Sequence, residues 1–171
     1  MEKLKKSKLY LMCGIAGAGK STWIANHKQF FDGTVNVVSR DAIRFSLLKE
    51  GEDYFSKEKQ CWAEYVAQAK KSILENDNTI LDATHLNVFS RGRILHQLKD
   101  VLKDVSVNAI VIDVDAETAI KQNSSREGRA FVPPTAIREM KKDFVIPTLD
   151  EEFDKIYIYK DGKCTVKERM N

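Results

Sequence analysis

The octet Gly14-Ile15-Ala16-Gly17-Ala18-Gly19-Lys20-Ser21 follows the spacing G-x-x-x-x-G-K-[ST], with the apolar run Leu9 to Cys13 before it and a helix-compatible run, Ser21 to His27, after it. No other feature constrains the chain as much, because a strand, a glycine-rich turn and a helix in that succession make a phosphate-binding loop. Glycine admits positive φ, so the amides from Gly14 through Ala16, Gly17, Ala18 and Gly19 can turn inward and meet phosphate oxygens at the positive end of the following helix. Lys20 is then expected to reach the β and γ phosphates and Ser21 a magnesium ion, with Thr22 completing the nucleotide-binding turn.

The remainder of the chain alternates. Val35 to Val38, Thr79 to Leu81, Val107 to Ile112 and Ile156 to Tyr159 read as further strands separated by amphipathic segments. That alternation predicts an α/β fold, a parallel sheet with helices on both faces. Helices are expected over Ser56 to Glu75, over Arg91 to Leu102, from Asp115 onward, and after Pro133-Pro134. Trp62, Tyr65, Val66, Ala69 and Ile73 fall on one stripe of the first of these, which reads as core rather than as a base-stacking platform. Asp161-Gly162 predicts a C-terminal β-hairpin joining Ile156 to Lys160 with Cys164 to Lys167. The polar, basic stretch at about 122–134 reads as a short arginine-bearing lid on a single domain spanning 1–171.

Composition narrows the class without choosing the chemistry. At 171 residues, 43% apolar and 31% charged, the chain is sized for one buried core. A net charge of +3 is too small to argue for nucleic acid by itself, so any such argument rests on local clustering. The three cysteines lack zinc or redox spacing and read as small hydrophobes in a reducing compartment. Lysines ahead of Leu9 imitate a signal peptide, but cleavage there would destroy the phosphate loop. No run approaches a membrane span, so the expectation is a soluble cytoplasmic protein without membrane partners.

A phosphate loop announces a nucleoside triphosphate without saying what receives the phosphate. N-K-x-D and D-x-x-G do not occur, which disfavours a switch GTPase. After the second strand, Asp41 is expected to cap a helix and Arg44 to share its face. Ligands in open α/β sheets collect beyond the carboxyl ends of the strands. Asp41 there is the candidate to accept the proton of an acceptor hydroxyl. Asp82, closing the strand Thr79-Ile80-Leu81-Asp82, is the candidate for the magnesium shell with Ser21. Arg126 and Arg129 are candidates to fold over the transferring phosphoryl group. Arg91 and Arg93 could reach an acceptor phosphate, with the better claim to Arg91, which follows Ser90 at the expected helix start. His85 reads as structural. Tyr54, Phe55 and Phe131 suit either a base stack or a core margin.

Taken together, Gly14 to Trp23, Ser39-Arg40-Asp41 with Arg44, Asp82-Ala83-Thr84 with Leu86-Asn87, Asn123 to Arg126, and Pro147 to Phe153 resemble a polynucleotide 5′-hydroxyl kinase domain of the phage and DNA-repair type. The resemblance runs from Lys8 to about Tyr159. It implies a P-loop kinase fold and ATP- and Mg2+-dependent phosphorylation of a 5′-OH end of DNA or RNA. It places Asp41 at the attacking hydroxyl, Arg44 at the neighbouring acceptor phosphate, Thr84 on the acceptor side and Arg126 on the lid. Gln122 and His85 differ from the family pattern, which often carries arginine and asparagine there. Two alternatives stay open at this point: a kinase of the same fold acting on a small hydroxyl compound such as a nucleoside, sugar acid or antibiotic, and a non-catalytic nucleotide-binding regulatory module.

Overall fold

The computed structural model describes residues 6–126 and 131–170. Its elements run β1 (Lys8–Cys13), α1 (Lys20–Asn26), β2 (Val35–Ser39), α2 (Arg40–Leu47), α3 (Glu58–Glu75), β3 (Asn78–Asp82), α4 (Val88–Leu98), β4 (Ser106–Ile112), α5 (Ala116–Asn123), α6 (Pro134–Asp143), β5 (Lys155–Lys160) and β6 (Lys163–Glu168). The sheet has the order β2-β3-β1-β4-β5-β6, parallel throughout except for the β5–β6 pair. That last pair is the expected hairpin. Asp161 and Gly162 both take positive φ, 50° and 74°, which matches the right-handed twist of the flanking strands.

Alternate residues of β1 feed two separate cores. Leu9, Leu11 and Cys13 pack with Cys61, Tyr65, Ala69 and Ile73 of α3 and Ile94 and Leu98 of α4. On the opposite face, Tyr10 and Met12 meet Trp23 of α1, Ala119 of α5 and Ile137 of α6. A strand buried on both faces reads as a continuous apolar run, which is why β1 was visible in the sequence.

Besides the start of α3, which comes two residues later than expected, at Glu58, two helix starts that bear on the site differ from expectation. Ser39, not Asp41, caps α2, its Oγ accepting from the Ala42 amide at 3.2 Å, so Asp41 sits in the first turn with its carboxylate released from capping. Asn87 caps α4 in a reciprocal pair with Ser90, which starts that helix at Val88 rather than Arg91. Both shifts turn side chains toward new partners.

Candidate active site

The loop between β1 and α1 takes its shape from what packs against it. Gly17 and Gly19 have φ of 82° and 98°, and a Cβ on Gly17 would lie 2.3 Å from the Ala119 carbonyl oxygen of α5. The Gly14 amide donates to the Thr84 carbonyl at 2.9 Å, which ties the loop to the end of β3. Gly19 caps α1 without a side chain and no acid occupies the first turn, so that end retains its amides and positive dipole for a phosphate.

Lys20 folds back over the loop, its Nζ donating to the carbonyls of Gly14 at 3.0 Å and Ile15 at 2.9 Å. Burial pushes its ammonium down to about 8, against the pull of the Asp82 carboxylate. Ser21 Oγ donates to Asp82 Oδ2 at 2.7 Å, so the two residues expected around a divalent ion meet across 61 positions of sequence. A hydroxyl and a carboxylate form an oxygen-only donor pair. Magnesium suits such a pair, since it takes one or two protein oxygens and fills the rest of its shell with water and phosphate.

Across from the loop, Lys20, Ser21, Asp41, Arg44, Asp82 and Thr84 line one cavity of about 420 Å³, with Arg126 on its rim. Asp41 Oδ1 accepts from Arg44 Nη1 at 3.1 Å and from the Tyr54 hydroxyl at 2.9 Å. Burial and the Asp41 charge raise the Tyr54 phenol to about 12, so it remains a donor over the whole neutral range. Arg44 Nη2 is paired with Glu58 Oε2 at 2.5 Å, and Arg40 pairs with the other oxygen of the same carboxylate. Despite partial burial, the two guanidiniums hold Glu58 below the usual carboxylate range. Glu58 is the residue sequence reasoning missed here, and Tyr54, expected at a base stack or a core margin, instead holds Asp41. Their roles depend on α3 folding back onto α2, which no local spacing signals.

Other expected site residues lie elsewhere. Arg91 was expected at an acceptor phosphate; instead it is fully buried, ion-paired with Glu151 at 2.7 Å and bonded to the His85 carbonyl at 2.9 Å. The earlier start of α4 turns it inward, and it does not line the cavity. Removing one partner of a buried pair strands the other charge, so Arg91→Met is expected to cost about 3–5 kcal/mol in denaturant unfolding. Acceptor KM should stay unchanged. Arg129 lies outside the described residues, as do 127, 128 and 130 of the expected lid. At the base of that segment, the buried Asn123 side chain donates to the Val132 carbonyl at 2.7 Å and accepts from its amide at 3.3 Å. His85, with φ of 42°, donates from Nδ1 to the Met12 carbonyl at 2.5 Å and takes the Tyr65 hydroxyl at 3.2 Å on Nε2. Burial pushes it down to about 4, which makes it a neutral strut.

A loop of this geometry on a sheet of this order defines a P-loop nucleotide-binding domain with a kinase-like fold. Residues 9–147 match the family described as the AAA domain, and the chain belongs to it. The chain is 25% identical over 157 residues to an Autographa californica nuclear polyhedrosis virus protein named as a bifunctional polynucleotide kinase/RNA ligase. That stretch is 84% of this chain but 22% of the viral protein. Among solved structures, one in the Pnkp1/Rnl/Hen1 RNA repair complex aligns with TM-score 0.62 and 22% identity, over 83% of this chain and 45% of that one. Another, in the PezAT toxin–antitoxin system of Streptococcus pneumoniae, aligns with TM-score 0.65 and 20% identity, over 95% and 72%. Both structural likenesses speak to the fold. Among the described residues no helix is long and apolar enough to cross a membrane.

Proposed function

We propose that this domain transfers the γ phosphate of ATP, with Mg2+, to the 5′-hydroxyl of a DNA or RNA end. The observation that carries the reading is the single cavity shared by the phosphate loop's Lys20 and Ser21 and by Asp41, a carboxylate held by two donors and open to solvent. The loop amides and Lys20 grip the triphosphate. Ser21 and Asp82 would hold magnesium, which neutralises phosphate charge. Asp41 orients the acceptor hydroxyl and takes its proton, while Arg126 approaches from the rim toward the oxygens on which charge develops. An acceptor-facing base distinguishes a transferase from a module that only senses nucleotide.

The nucleic acid part of the reading is supported by the Ser-Arg-Asp and Asp-Ala-Thr segments and by the name of the viral relative. It is tested by incubating radiolabelled ATP with 5′-OH oligonucleotides, nucleosides and a panel of sugar acids and other small alcohols. Label on the oligonucleotide is the expected result; label confined to a small alcohol, or phosphate release without transfer, would overturn it. For Arg44→Ala, loss of a charge-assisted contact to the acceptor is expected to raise acceptor KM by about 10- to 100-fold with a smaller change in kcat. A fall confined to kcat would move Arg44 to the transition state.

A further inference from the structure

Arg93, weighed above beside Arg91, faces the other way. It is exposed, its guanidinium lies 4.0 Å from the centroid of the Trp62 ring, and the described residues offer it no ion pair. The Arg40 guanidinium lies over the same indole at 5.2 Å, and Arg40 is also on the wall of the active-site cavity. Trp62 therefore packs against the core and also carries two guanidiniums at its ring, one from the cavity wall and one from the exposed face of α4. Four residues before Arg93 on that face, Phe89 is 79% exposed. Stacking fixes the plane of an arginine while leaving its N–H edge free, which preorganises it for a phosphate. Arg93 is exposed, and among the described residues no carboxylate occupies its N–H edge, whereas Arg40 is paired with Glu58.

Resting on the polynucleotide reading above, we propose that Arg40, Trp62 and Arg93, continued by Phe89, are the path of the acceptor strand downstream of its 5′-terminal nucleotide. The guanidinium edge of Arg93 takes a phosphodiester, and Phe89 offers a face on which an unpaired base stacks. A positive groove with interleaved aromatics is the chemistry that holds single strands without reading their sequence. The path makes the domain discriminate by acceptor length: a nucleoside 3′-monophosphate fills the cavity alone, while an oligonucleotide also engages the stack.

The test compares those two acceptors in the parent, Arg93→Ala and Phe89→Ser, the last at a position exposed enough to leave folding undisturbed. Thermal melts check all three. For a single-stranded oligonucleotide of several nucleotides, Arg93→Ala is expected to raise KM about tenfold, leave kcat unchanged, and lower the slope of log KM against log salt by about 0.7. Phe89→Ser should act in the same direction without the change in salt slope. KM for the nucleoside 3′-monophosphate should move less than about twofold. Equal effects on both acceptors, or none on either, would overturn the path while leaving the acceptor class standing. If the parent labels neither acceptor, the acceptor class fails and the path with it.

Discussion

Lys20→Ala is expected to abolish phosphate transfer and ATP hydrolysis together, by at least about 10³-fold, because the side-chain cation drawn inside the loop is removed from the phosphates it would neutralise. The pH dependence of nucleotide binding should carry the same signature. Burial places the free ammonium near 8, whereas a bound polyphosphate favours the charged form and raises it. Above about pH 8 the parent must therefore take up a proton when ATP binds, and affinity should fall by up to about tenfold per pH unit. Below that pH the lysine is already charged, and affinity should be flat with respect to this group. Calorimetry in buffers of different ionisation enthalpy reads the uptake directly. A mutant that still turns over ATP, or a parent that binds without proton uptake at pH 9, would contradict the assignment.

Asp41→Asn is expected to separate binding from chemistry. Asparagine retains an oxygen to accept from Arg44 and Tyr54, so the wall of the cavity should stand, but it cannot take a proton from an alcohol. Transfer should fall by about 10²- to 10⁴-fold while ATP affinity stays within a factor of about two. Label transfer together with a nucleotide titration measures both. Transfer equal to the parent's would end the role given to Asp41.

The contrast between neighbours on α4 explains why one arginine could be misassigned and the other undervalued. Arg91 and Arg93 are two positions apart, about 200° around a helix, so one must face the sheet if the other faces solvent. Which is which was settled by Asn87 capping the helix and by Glu151 arriving from 60 positions away. Glu58 is a similar case. In the sequence it is one acid at a helix start; in the fold it joins Arg40 and Arg44 and so fixes the wall that presents Asp41.

What the chain's own order determined is local or periodic: the strand–loop–helix around Lys20, the apolar runs of the first five strands, the Asp161-Gly162 turn that adds the sixth, and the two acids at or just beyond strand ends, Asp82 at the end of β3 and Asp41 in the first turn after β2. Each follows from backbone freedom, hydrophobic period or residue chemistry within a few positions. Tertiary structure alone decided the pairing of Ser21 with Asp82, the withdrawal of Arg91 into the core, the stacking of Arg40 and Arg93 on Trp62, and the tie from Asn123 to Val132. Those contacts join side chains whose meeting depends on the rotation of whole elements about their axes. That rotation is set by cores built from distant segments, and no stretch of sequence contains it.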